Sequence, residues 1–137
     1  MTQRSLVQRV LVAFFAVLLT IGPAGAGNII KVMSDDMGQR RPGGCPSRWC
    51  ACYMDLALAE AGFKIRGSYR ARDFATYGEA AKPLTVGSIM VMRNHVGVVT
   101  GTCQNGAVQL LSGNHSRKVS LGCYSAKKAI AWRKPVR

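Results

Sequence analysis

The stretch Val86–Ser116 reads VGSIMVMRNHVGVVTGTCQNGAVQLLSGNHS, and its pattern decides the fold. Val86–Arg93, His95–Thr102 and Ala107–Ser112 are β-branched or alternating apolar runs broken by turn residues. Asn105-Gly106, between the second and third, is the signature of a tight type I′ hairpin. Two further runs, Lys118–Cys123 and Ala129–Arg133, complete an antiparallel meander of about five strands.

Upstream of the meander the apolar period changes. Cys50, Met54, Ala57, Leu58 and Ala61 fall at i, i+4, i+7, i+8 and i+11, with Ser47 as N-cap and Gly62 as stop, so a helix is expected over Arg48–Ala61. A shorter helix is expected over Ala71–Tyr77, ended by Gly78 and then by Pro83. Asn28–Gly44 shows no sustained period and reads as a leader strand, Ile29–Met33, followed by a loop. Helices ahead of an antiparallel sheet make an α+β domain, with the long helix laid across one sheet face. Trp49, Phe63, Phe74 and Trp132 read as core aromatics.

The N-terminus reads as an address. Arg4 and Arg9 precede the apolar run Val10–Ile21, and Ala24-Gly25-Ala26 is the small-x-small pattern cut by signal peptidases. The run falls short of the roughly 20 residues needed to span a bilayer. A signal peptide over 1–26, a leader over 27–44 and one folded domain over 45–137 are expected, for a periplasmic or secreted protein. The chain of 137 residues has no room for a second full domain. Lys and Arg number 19 against 6 Asp and Glu, a formal charge of +13, and taking away Arg4 and Arg9 leaves +11. The basicity belongs to the folded part. It favours anionic partners, and export places a cell-wall polymer or an anionic membrane surface ahead of nucleic acid, for which no motif is present. At 48% hydrophobic, the chain is no disordered polycation. Arg66, Arg70 and Arg72 straddle Tyr69 and either line an anionic groove or only decorate the surface.

Five cysteines make an odd set, and export permits disulfides, so at least one thiol is left over. Cys50 sits in the first turn of the long helix, where unpaired N–H groups and the helix dipole lower a thiol pKa toward the reactive thiolate. A buried structural cysteine on the apolar stripe is the competing reading, and the odd count favours the nucleophile. The other four thiols allow three pairings. Cys103 with Cys123 is favoured because one flanks the hairpin turn and the other ends a nearby strand; Cys45 with Cys52 would then tether the loop before Cys50. A zinc site from Cys45, Cys50 and Cys52 lacks paired CxxC spacing, and no metal or other cofactor is expected.

A thiol nucleophile needs an imidazole within reach and a group to orient it. The histidines are His95 and His115. With Asn105 and Gly106 as the two turn residues, Gln104 pairs with Ala107, Gly97 faces Asn114 and His95 faces Ser116. His95 and Asn114 are then diagonal neighbours on one face, backbones about 7–8 Å apart, while His115 points to the other face. Asn114 would accept the Nδ1–H of His95 and leave Nε2 toward Cys50.

The order Trp49-Cys50-Ala51 at a helix start, Ala71-Arg72 to Gly78-Glu79, Pro83 to Gly87, His95-Val96-Gly97-Val98-Val99, Gly113-Asn114-His115-Ser116 and Trp132-Arg133-Lys134-Pro135 resembles the small NlpC/P60- and CHAP-like bacterial cysteine hydrolases. The likeness covers about Cys45–Pro135 and is nearest to an exported or phage-associated branch. It implies a papain-like fold and hydrolysis of an amide bond in peptidoglycan through a thioester; a monomer is expected. Cys50 is carried over as nucleophile, His95 as general base and Asn114 as the polar third member. Two positions depart from the family pattern. Ser88 stands where an acidic residue is usual, and His115 stands where Gln is frequent, which makes His115 a rival third member. Two other readings share the scaffold: a non-catalytic basic wall-binding or envelope protein, and a secreted cationic antibacterial effector.

Overall fold

The computed structural model describes residues 26–137, so the expected signal peptide, apart from Ala26, lies outside the described residues. In chain order the elements are helix α1 (Ala26–Asp35), helix α2 (Cys50–Glu60), a 3-10 helix (Ala71–Thr76), strands β1 (Glu79–Ala80), β2 (Ile89–Met92), β3 (Val96–Thr102), β4 (Val108–His115) and β5 (Lys118–Tyr124), a 3-10 turn (Ala126–Lys128) and strand β6 (Ala129–Lys134). The strands form one antiparallel sheet in the order β1-β6-β2-β3-β4-β5. The architecture is α+β. Five strands lie where the alternating runs placed them, and the two-residue β1 adds a sixth at one edge.

The expected leader strand Ile29–Met33 is instead the middle of α1. Its four-residue spacing puts Ile29 and Met33 on one helical face, and both are fully buried beneath α2 and the sheet. Tyr53 of α2 donates its hydroxyl to Asp36 at 2.8 Å, tying the two helices together. The chain after α1 then runs along β5, with Gly38 N–H donating to Val119 O (2.7 Å) and Val119 N–H to Gln39 O (2.8 Å). These bonds satisfy part of an otherwise open sheet edge. The leader is thus part of the domain.

The two sheet faces are both apolar. Ile89, Val91, Val96, Val98, Leu111 and Val119 pack against α1, α2 and the 3-10 helix, with Met54, Leu58 and Phe74 at the centre. Met90, Met92, Val99, Val108 and Leu110 form a second cluster on the opposite face with Tyr124, Ala129 and Trp132. Among the described residues no helix contributes to that second cluster, which is buried by strand residues and by Tyr124, Ala129 and Trp132. Fully burying one such side chain stabilises by about 1.5–3 kcal/mol. Trp49, Phe63 and Phe74 are buried as expected, and Trp132 is half-buried.

The hairpins differ from the sequence expectation. Cys103 N–H donates to Ala107 O and Gly106 N–H to Cys103 O, so Gln104-Asn105-Gly106 is a three-residue loop with only Gly106 left-handed (φ 80). Beyond it the register shifts again between Val99 and Gly101, leaving Val98 opposite Leu111. The tight two-residue turn lies instead at Ser116-Arg117, both left-handed (φ 56 and 63), between the paired His115 and Lys118.

Disulfides join Cys45 to Cys52 and Cys103 to Cys123, and Cys50 is the free thiol. Both pairings are those expected, and they belong to an oxidising, extracytoplasmic environment. Among the described residues no helix is long and apolar enough to cross a membrane.

Gly113 sets how closely α2 lies on the sheet: a Cβ there would come within 2.8 Å of Tyr53 Cβ and of the Trp49 ring. Gly113→Ala is expected to push the start of α2 outward and to lower stability by about 1–3 kcal/mol, read by urea denaturation. An unchanged midpoint would mean that the helix seat is adaptable.

Candidate active site

Cys50 is the first residue of α2 and so lies in its first turn, as expected. The expected Ser47 cap is not formed. Trp49 is the N-cap residue, and no side chain caps the helix, so the first N–H groups of α2 have no carboxamide or hydroxyl acceptor. The N–H groups of Cys50 and Ala51 point at the Cys50 sulfur instead, and a third arrives across the helix–sheet contact from Val96. Val96 directly follows His95. The sulfur of α2 and the backbone of the residue after His95 therefore meet at the start of β3.

Burial outweighs the donors. Cys50 is only 5% exposed, and removal from water pushes its thiol pKa up from 9.0 despite three N–H groups that pull it down. The expectation of a depressed pKa at the helix start is thus reversed. His95 moves the opposite way, down to about 4, first because burial disfavours the imidazolium and second because of the charge on His115. At neutral pH the pair rests as thiol and neutral imidazole.

The orienting group is not Asn114. Its amide Nδ2 donates toward Ser47 O at 3.5 Å, beside α2, and its backbone is left-handed (φ 59). His95 Nε2 lies 2.8 Å from Ser112 Oγ and 3.1 Å from Tyr124 Oη, and the Tyr124 ring stacks on the imidazole at 5.0 Å between centroids. The three-residue loop and the shift near Thr100 move β4 along β3 by two residues. A two-residue slip preserves the face but replaces Asn114 by Ser112 as the diagonal neighbour of His95. The contact of Gly97 with Ser112, whose Cβ would be 2.9 Å from a Cβ at 97, reports the same register. The ring nitrogen engaged is Nε2, which leaves Nδ1 as the one without a partner among the described residues.

His115 is also not where alternation placed it. The register shift between Ser112 and His115 reverses the side-chain direction and swings the imidazole over Gly122, where any Cβ would lie 2.5 to 2.8 Å from the ring. There His115 Nδ1 is 2.6 Å from Tyr124 Oη. The result is a continuous polar chain, His95–Ser112–Tyr124–His115, on the sheet face away from the helices. Burial raises the Tyr124 pKa, while the hydrogen bond from the Ser112 hydroxyl lowers it. Ser112 and Tyr124 carried no signal in the sequence, because only the β3–β4 and β4–β5 registers bring them to His95.

Cys50 lines a cavity of about 440 Å³ and His95 an adjoining one of about 350 Å³, with Arg93 and Asn94 of the β2–β3 turn lining both. Met92 N–H donates to His95 O at 2.9 Å and closes that turn. Ser88, at the position usually acidic in the resembled family, is buried with its hydroxyl on Thr85 O at 2.6 Å, a turn-closing role. The sequence matches no protein-family model and no curated protein.

The depressed His95 pKa has a thermodynamic consequence. Between pH 6.5 and about 4 the unfolded chain binds a proton that the folded chain does not, so stability is full above 6.5 and lost as pH falls through that window. The loss is about 3 kcal/mol from this group. His95→Gln is expected to shrink the fall, read by urea denaturation at pH 7 and pH 4; equal pH dependence in both proteins would place the His95 pKa near its ordinary value.

Proposed function

We propose that the protein is an exported cysteine hydrolase of papain-like type, related to the NlpC/P60 and CHAP enzymes, that cleaves an amide bond in the peptides of peptidoglycan. The observation that carries this reading is the free thiol among five cysteines, standing at a helix start with its sulfur on the N–H of Val96, the residue after His95, whose imidazole is held at Nε2 by Ser112 and Tyr124. Residues 1–26 act as a cleaved signal peptide, and the net positive charge draws the domain to the anionic wall.

In this mechanism His95 Nδ1 takes the Cys50 proton as the sulfur attacks the amide carbonyl. The N–H of Cys50, which has no carbonyl partner at the helix start and is released by the sulfur as it attacks, stabilises the oxyanion that forms. Collapse of the intermediate breaks the C–N bond, with the His95 proton passing to the departing amine. Water, deprotonated by His95, then hydrolyses the thioester and frees the acid. Throughout, Nε2–H of His95 donates to Ser112, the Ser112 hydroxyl to Tyr124, and the Tyr124 hydroxyl to His115 Nδ1, an unbroken line of donors that fixes the tautomer. Ser112 takes the third role that the resemblance carried to Asn114.

Incubated with isolated sacculi, the protein is expected to release muropeptides, and Cys50→Ala is expected to release none. Sedimentation with sacculi and no products from the wild type would identify a wall-binding protein instead. Because the resting pair is neutral and His95 stays unprotonated down to about pH 4, the acid limb of kcat/KM is expected near pH 4 rather than 6.5. Rates measured from pH 3.5 to 8 check this, and an acid limb near 6.5 would oppose it.

A further inference from the structure

The cavity at Cys50 is lined by Arg48, Tyr69, Arg70, Arg72 and Arg93, with no acidic residue among its walls. The four arginines arrive from three separate segments. Arg48 precedes α2 by two residues, Arg70 and Arg72 flank the first residue of the 3-10 helix, and Arg93 sits in the turn before His95. Arg66, the other cation near Tyr69, is turned away and donates its Nε to Asp73 O at 2.7 Å.

Among the described residues no carboxylate forms an ion pair with these arginines. The ion pair found among the described residues is Lys31–Asp35, on α1. Three other carboxylates are committed elsewhere: Asp36 to the Tyr53 hydroxyl, Asp55 to the N–H groups of Arg66 (2.7 Å) and Gly67 (2.8 Å), and Asp73 to the Ser68 hydroxyl. The Asp55 bonds also pin the 66–73 loop to α2, so the arginines are presented on an anchored segment. All four side chains are exposed to solvent, as is Tyr69 at 62%. Like charges gathered on a built loop around a nucleophile are stabilised when an anion enters, and the guanidinium fork matches a planar carboxylate through paired hydrogen bonds.

We propose that this cleft is an anion-selective substrate subsite, taking a peptide with at least two free carboxylates flanking the amide to be cut. The proposal rests on the cysteine-hydrolase reading of Cys50. Two or more carboxylates are required because the cations stand on separate segments, Arg70 and Arg72 on one, Arg48 and Arg93 on the nucleophile's and the base's own. Carboxylate, rather than phosphate, is the anion a peptide carries beside its amide. Neutral peptides leave the guanidiniums without a partner and bind poorly.

The test uses binding, so that it does not depend on turnover. Full-chain Cys50→Ala is titrated calorimetrically with the peptide Ala-Glu-Ala-Glu-Ala, and with the same peptide carrying Gln for Glu and an amidated C-terminus. The neutral peptide is expected to bind about tenfold more weakly or worse, from the loss of charge-assisted hydrogen bonds. Arg70→Gln with Arg72→Gln, and separately Arg93→Gln, should each erase most of that difference. Lys82→Gln with Lys134→Gln, which removes two charges outside the cleft, should leave it intact. Equal binding of both peptides, an equal loss in the Lys82/Lys134 variant, or tighter binding of inorganic pyrophosphate than of the acidic peptide would each overturn the proposal. If acidic peptides bind but the wild type hydrolyses nothing, the subsite stands and the hydrolase reading falls. If the wild type cleaves acidic and neutral peptides alike, the reverse holds.

Discussion

The site depends on how closely the start of α2 is seated on the sheet. Gly113 removes the one Cβ that would hold Trp49 and Tyr53 off β4, and at that distance the N–H of Val96 reaches the Cys50 sulfur. Tyr53 then binds Asp36 on the far side, so α1 braces the helix from behind. The Cys45–Cys52 bridge ties the incoming loop to the first turn of α2. Each of these constraints acts on the same few residues, and together they fix one sulfur relative to one strand.

Two opposing effects then set the chemistry. Helix-start N–H groups favour a thiolate, while burial favours a thiol, and at 5% exposure burial wins. Burial likewise strips His95 of its proton. Both groups therefore rest uncharged rather than as a standing ion pair, and the orientation of the imidazole comes from hydrogen bonds. The chain through Ser112, Tyr124 and His115 supplies them on the sheet face away from the helices, made possible by the small Gly122 beneath the His115 ring.

Charge is distributed with the same economy. No acidic residue occurs after Glu79, so the sheet half of the chain is uniformly neutral or basic. Asp36, Asp55 and Asp73 of the helical half serve backbone N–H groups and hydroxyls, which shapes loops rather than quenching arginines. A strong positive field around the thiol cavity follows from where the acids are used as much as from where the arginines stand.

The α+β class, the position of α2, five of the six strands, both disulfides and the free Cys50 were legible in the residues, because apolar period and cysteine parity are local properties. Ile29–Met33 was ambiguous, since a short apolar run serves strand or helix, and only burial under α2 decides it. The partner of His95 was beyond local reading. Parity along β3 and β4 named the correct face, but a three-residue loop in place of two and a shift near Thr100 exchanged Asn114 for Ser112, and a second shift turned His115 inward. Register accumulates over every turn and bulge between two residues, so it is a property of the assembled sheet and of no single segment.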